Sequence, residues 1–343
     1  MKALQKTERG PGHMRLREIA EPTCGPGQLK IKVHYAGICG TDIHIVNADL
    51  PCRPPVTLGH EVSGIVAEVG SGVRRARVGD KVTVTPYVSV RCGQCRYCRS
   101  GYYALCESTL NVGHKVDGAF ASYIISQDDQ VFRLPGNVGL DVGALSEPLA
   151  CSVQAVSELC HVEPGDTVLI SGPGPVGLMT MQLAKAQGAK VVVAGLHQDA
   201  QRLAVAGEMG ADITVDVENA DLTAVTRGLS GGYGADFAFE CAGSDASLRQ
   251  CLAAVRKLGS VVILGLHGKP AQVNPDDIVY KQLTIRGSIS HTWDTWDRTM
   301  AILAEGLVDL RPLISHRLPL SDWQEGIRVC EERLGLKVLL QPD

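Results

Sequence analysis

No uninterrupted apolar run in this chain approaches the about 18 residues that a bilayer-spanning helix needs. This holds although 45% of its 343 residues are hydrophobic, so a membrane span is not expected. A surplus of one charge is missing too: the formal net charge is −4, so no overall field draws in a polyanion. The opening MKALQKTERGPGHMRLREIA lacks both the apolar core and the small-residue cleavage site of an export signal, and a cytoplasmic protein is the expectation. Internal repeats and low-complexity tracts are also absent. A chain this long is expected to form two domains, since single cores stop growing at roughly 250–300 residues.

Cysteine is plentiful by contrast, with 12 in the chain. Size and the missing export signal argue against a disulfide frame. Cys24, Cys39, Cys52, Cys151, Cys160, Cys241, Cys251 and Cys330 stand singly, mostly among apolar or small residues, where a thiol serves as a small buried hydrophobe. Cys92, Cys95, Cys98 and Cys106 are clustered in RCGQCRYCRSGYYALC. Tight Cys-x2-Cys steps bring two sulfurs to one ion from a single turn, and four thiolates close a tetrahedral shell, so a structural zinc is expected here. The Cys–His pairing of a nucleic-acid finger is absent, and Arg91, Arg96 and Arg99 in one loop are a solvated group more often than a phosphate site. A zinc-stabilised nucleic-acid-binding protein is therefore a remote alternative, and no nucleic-acid partner is expected.

Texture changes near residue 150. Before it, the β-branched runs LKIKVHYAGI, EVSGIVAEVG, DKVTVTPYV and FASYIIS are broken by Gly and Pro every eight to twelve residues or so, the pattern of an antiparallel barrel or sandwich. From about Asp166, strand and helix alternate: TVLIS, the helix PVGLMTMQLAKAQG, KVVVAG, the helix QDAQRLAVAGEMG, then DITVD, ADFAFE, GSVVILG and LTIRGSI. Six strands with helical crossovers predict a doubly wound parallel sheet. The fold class is thus α/β, a β-rich domain beside a Rossmann domain.

ISGPGPVGLM places Gly172, Gly174 and Gly177 after a strand and at the head of a helix, with Pro175 and Val176 in the turn. Such glycines allow a tight turn, close approach of pyrophosphate and close helix packing, while the helix N-terminus faces the phosphates. The second strand ends in Gly195 rather than in an acid that would accept ribose hydroxyls. Asp199 stands four residues on, while His197 and Arg202 suit a 2′-phosphate, so NAD and NADP both stay open. A second constellation is dispersed: Cys39 and His44 in GICGTDIH, His60 and Glu61 in TLGHEVSG, and Glu147 in LSEPLA. One thiolate, one imidazole and one carboxylate make a three-ligand set with an open fourth position, and such a zinc beside a dinucleotide fold suits alcohol chemistry.

Over essentially its whole length the chain resembles the zinc-dependent medium-chain dehydrogenase/reductase family, nearest its polyol (sorbitol-like) and threonine dehydrogenase branches. The likeness rests on GICGTDIH, GHEVSG, VGDKV, CGQCRYC…C, SEPLA, GPGPVG and the tail ISHTWDTWDRTMAILAEGLVDLRPLISHRLPL. It implies a GroES-like catalytic domain over 1–148 and 290–343, a Rossmann domain over 149–289, and one catalytic and one structural zinc. Cys39, His60 and Glu147 would hold the catalytic ion, with Glu61 or water completing the shell, and Thr41 and His44 would relay the proton. Leu264, Gly265, Leu266, Ile289 and Ser290 would face the nicotinamide. A small-molecule alcohol or ketone is the partner, and a homotetramer, or a homodimer, the assembly. Ile45 and Ser290 replace the aromatic and the arginine usual in sorbitol dehydrogenases. A polyol, sugar alcohol or sugar acid is therefore expected rather than sorbitol strictly, with L-threonine 3-dehydrogenase activity as the alternative.

Overall fold

A computed structural model of the chain describes residues 1–86 and 91–342. The chain divides into two compact units. One comprises Met1–Pro148, Thr292–Glu305 and Ile314–Asp343; the other comprises Leu149–His291 and Gly306–Leu313.

The first unit is built on a seven-stranded sheet. Its central strand, Gln28–Gly37, alternates buried and more open positions along much of its length, with Leu29, Ile31 and Val33 pointing into the core. Glu61–Val69, Tyr123–Gln127 and Lys337–Gln341 all pair antiparallel with this strand. Lys337–Gln341 in turn pairs in parallel with Ile314–Pro319, which joins the end of the chain to the sheet formed by its beginning. The register sets Gly37 opposite Glu61. The run DKVTVTPYV forms a strand over Lys81–Val84, and its residues Tyr87 and Val88 lie outside the described residues. FASYIIS becomes a strand only from Tyr123, because Ala121 is engaged in a lone bridge to Ala3.

The second unit holds six parallel strands in the order Ile213–Asp216, Lys190–Gly195, Thr167–Ser171, Ala235–Glu240, Val255–Ile263, Thr284–Gly287. Counted along the sheet this is 3-2-1-4-5-6, the dinucleotide-fold order, and it creates a crevice where the winding reverses beside the first strand. The central strands carry unbroken apolar runs, Val168–Ile170 and Val191–Ala194, as sheets covered on both faces require. The helix expected over QDAQRLAVAGEMG starts at Ala200: His197–Asp199 form a 3-10 turn first, in which the Asp199 carboxylate accepts the Leu196 N–H. Among the described residues no helix is long and apolar enough to cross a membrane.

Candidate functional site

Cys39 leaves the sheet after Gly37 and caps the helix Gly40–Val46. Three residues on, Asp42 turns back and accepts the Cys39 N–H at 2.9 Å, and its other oxygen accepts the Gly59 N–H at 3.3 Å. One fully buried carboxylate thus ties the turn that carries Cys39 to the residue that precedes His60. His60 and Glu61 enter the next strand from there, and the ligand atoms of Cys39, His60 and Glu61 lie within 4.8 Å of one another. Glu147 stands outside that cluster, buried in the first turn of the helix Ser146–Val153, with its charge acting on both His60 and Glu61.

The electrostatics suit a cation. Burial pushes the His60 pKa down, yet Asp42, Cys39 and Glu147 together outweigh it and raise it well above the ordinary value. His60 Nδ1 is buried without a hydrogen-bond partner among the described residues, 3.7 Å from Asp42 Oδ1. A half-buried thiol beside a buried imidazole and a buried carboxylate, with one ring nitrogen unpartnered among the described residues, forms a donor set that fits zinc. Glu61 is engaged elsewhere: both of its oxygens accept from Lys337 Nζ, at 2.7 and 2.8 Å, and the same ammonium reaches the Ile38 carbonyl at 3.1 Å. Asp42 and Lys337 were not among the residues picked from the sequence. Asp42 is legible in retrospect as the acid three residues past a helix cap. We expect Asp42→Ala to lower the affinity of this site for zinc about 10- to 100-fold, as loss of an outer-shell carboxylate does, measured by competition with a chelator.

Along the helix Gly40–Val46, Thr41 and His44 are three residues apart and so share a face. His44 lies in the last turn, part exposed, with Nδ1 3.6 Å from Asp49 Oδ2. Next to His60 stands His114, its ring edge-on at 5.5 Å between centroids. Burial first, and then the neighbouring His60, hold the His114 pKa down at about 3.

The cysteine quartet folds as two knuckles. The N–H of Cys95 donates to the Cys92 sulfur and that of Cys98 to the Cys95 sulfur, at 3.2 and 3.4 Å. The four sulfurs gather within 4.8 Å of one another, and all 12 cysteines are free thiols. Backbone donors from Cys95 and Gln94 draw the Cys92 pKa down to about 6, whereas burial pushes Cys98 up to about 12. A cation stacked over Tyr103 and Trp293, Arg91, pairs with Asp129 at 2.6 Å and fastens the start of the loop. Cys106→Ser should remove the ion from this quartet and lower the thermal midpoint by several degrees while leaving a metal at Cys39, as metal analysis with a melting curve would show.

In the second unit, Gly172 has φ +109°, and a Cβ there would meet the Ala242 nitrogen at 2.8 Å. At Gly177 a Cβ would strike the Gly172 carbonyl at 2.0 Å, so strand and helix pack backbone to backbone. Gly174, which caps the helix Pro175–Ala186, faces open space. Free amides at a helix start beside open space form a cradle for pyrophosphate, and Pro175 at the first helical position sacrifices no hydrogen bond. Val176 follows in the first turn and its carbonyl accepts from Thr180. Gly195 has no room for a side chain, since a Cβ would meet Pro173 at 2.8 Å. His197 is exposed, with its ring 2.9 Å from Asp216 and its N–H on Glu218, and Arg202 lies in the following helix. Asp199 is buried and turned to Leu196. Leu264 and Gly265 donate to the Glu240 carbonyl, Leu266 and Ile289 are exposed, and Ser290 is buried at φ +61° with its hydroxyl unpartnered among the described residues.

A thiol–imidazole–carboxylate cluster in a β-rich lobe and a dinucleotide cradle in a parallel-sheet lobe define a metal-assisted, nicotinamide-linked dehydrogenase. Comparison with known proteins agrees. Residues 25–136 match the alcohol dehydrogenase GroES-like domain, and residues 175–305 match the zinc-binding dehydrogenase family. The chain is similar to a sorbitol dehydrogenase of Halalkalibacterium halodurans, 39% identical over 100% of this chain and 99% of that protein. It is also similar to a D-arabitol-phosphate dehydrogenase of Enterococcus avium, 35% identical over 99% of this chain and 97% of that one. A protein of Sinorhizobium meliloti 1021 solved with NADP bound superposes with a TM-score of 0.91 at 34% identity, covering 99% of both chains. The chain belongs to the zinc-dependent medium-chain dehydrogenase/reductase family, in its polyol and threonine dehydrogenase branch, and is an oxidoreductase acting on CH–OH with zinc and NAD or NADP.

Proposed function

We propose that this chain reversibly oxidises a secondary alcohol flanked by further hydroxyls, a polyol, sugar alcohol or sugar acid, to the ketone. The cluster of Cys39, His60 and Glu61, with its imidazole and carboxylate buried, carries the reading. Zinc held there would act as a Lewis acid that lowers the pKa of the substrate hydroxyl. Cys39, His60 and Glu147 supply its ligands in this reading. Glu61, held by Lys337 through both oxygens, leaves a place in the shell for the substrate. Thr41 takes the hydroxyl proton and His44 passes it to solvent; a part-exposed imidazole in the last turn of the same helix is placed for that step. The quartet of Cys92, Cys95, Cys98 and Cys106 braces the lobe around a structural zinc.

Residues 1–148 and 290–343 form the catalytic domain in this reading, and 149–289 the dinucleotide domain. Gly172, Gly174, Pro175, Val176 and Gly177 receive the pyrophosphate. Gly195, His197 and Arg202 line the adenosine end, and Leu264, Gly265, Leu266, Ile289 and Ser290 the nicotinamide end. A cytoplasmic homotetramer or homodimer completes the proposal. Initial rates with NAD and NADP over sorbitol, xylitol, arabitol, sugar acids, L-threonine and simple alcohols test it. Turnover of a polyol or sugar acid supports the reading; activity confined to L-threonine, or to primary alcohols, overturns it.

A further inference from the structure

Beside the cluster of Cys39, His60 and Glu61 stands an imidazole whose ring nitrogens make no hydrogen bond among the described residues. His114 meets the His60 ring edge-on, with centroids 5.5 Å apart and planes at 78°. Among the described residues no group hydrogen bonds to either of its ring nitrogens, and the side chain is only half buried, so the nitrogens are not sealed in.

The place of this ring is fixed by backbone. His114, Lys115 and Val116 all close back on the Asn111 carbonyl, at 3.2, 3.0 and 3.3 Å. Gly113 has φ +78°, and a Cβ there would meet the Gly59 carbonyl oxygen at 2.8 Å; at Gly118 it would meet the same oxygen at 2.2 Å. That oxygen accepts the Ala119 N–H at 2.9 Å, while the His114 carbonyl accepts the Arg53 N–H at 2.9 Å. Two glycines therefore press the 111–118 loop onto the residue that precedes His60. The backbone that carries His114 is thereby docked on the backbone that leads into His60.

Packing alone does not call for an imidazole here. A phenyl or leucyl side chain would fill the space as well, whereas the imidazole adds two ring nitrogens that no group among the described residues takes up. We propose that His114 is a specificity-determining residue whose ring nitrogens hydrogen bond a substrate hydroxyl next to the carbon being oxidised. A neutral imidazole offers one donor and one acceptor, and a hydroxyl both accepts and donates, so the two match in either tautomer. A mono-alcohol has no such hydroxyl to offer. The inference rests on the polyol reading and names the group that enforces it.

The test is His114→Phe, which keeps a planar ring against His60 and removes both nitrogens. kcat/KM is measured for the best polyol of the panel and for butan-2-ol, the latter by turnover or, failing that, by its inhibition constant. The ratio of the two is independent of how much enzyme is folded and loaded; His114→Leu gives a second reading of it. The expected result is a fall of about 10- to 100-fold for the polyol, with butan-2-ol changed by less than about threefold. Equal loss on both substrates, or an unchanged ratio, would mean that His114 only packs, and the inference fails alone. A native enzyme with no preference for the polyol overturns the polyol reading together with this inference.

Discussion

Replacing Cys39 by serine should reduce the metal content of the purified chain by one zinc and lower kcat by about a thousandfold or more. A Lewis acid at the reacting oxygen supplies several kcal/mol, and each 1.36 kcal/mol is tenfold in rate. The fold should survive the change. Cys39 caps a short helix whose turn is held from the other side by Asp42, and the lobe has its own core of Leu29, Ile31, Val62, Val66 and Val82. Circular dichroism and the melting curve should therefore stay near native while metal analysis and turnover change together. Loss of turnover without loss of metal would place the ion elsewhere.

Lys337→Met should have the largest effect on stability. Glu61 is fully buried, and Lys337 is 4% exposed; removing the ammonium strands a carboxylate in a dry interior. Breaking a buried pair from one side costs about 3–5 kcal/mol, whereas replacing both partners is often nearly neutral. The double variant carrying Glu61→Gln as well should thus recover most of the loss. Denaturant midpoints of the metal-stripped proteins are the measurement, so that an ion cannot compensate for the missing ammonium. Burial alone would depress the Lys337 pKa, but the Glu61 carboxylate outweighs burial and lifts it above the ordinary lysine value. Its contribution is accordingly complete below that ordinary value and is lost only as pH rises through the lifted one. Burial already holds the Glu61 carboxyl above the ordinary carboxylate range, and without Lys337 it takes up a proton more readily still, so the gap between native and variant should be widest at about pH 9 and narrow as pH falls.

Features carried by a short stretch of chain were the ones legible in the sequence. The quartet reads directly because the geometry of Cys-x2-Cys is set within one turn, and ISGPGPVGLM reads because strand, glycines and helix are contiguous. The parallel, doubly wound character of the second unit follows from the alternation of strand and helix alone, while its strand order is set by pairings the text does not show. Boundaries were harder. Asp199 stops the second crossover helix from starting at the loop by capturing the Leu196 amide, a local competition that apolar periodicity does not report. Pairings across the chain were not legible at all. Lys337 meets Glu61 from 276 positions away, through a closing strand whose text, KVLLQ, looks like any β edge. His114 sits in a glycine loop that gives no sign of docking on Gly59 until both backbones are seen together.

The most direct measurement is metal analysis joined to a crystal structure recorded at the zinc edge. The account predicts two peaks per chain, one enclosed by Cys92, Cys95, Cys98 and Cys106 and the other about 2.3 Å from the Cys39 sulfur and about 2.0–2.1 Å from a His60 nitrogen. A single peak at the quartet, with Cys39 and His60 turned away from each other in active enzyme, would contradict it.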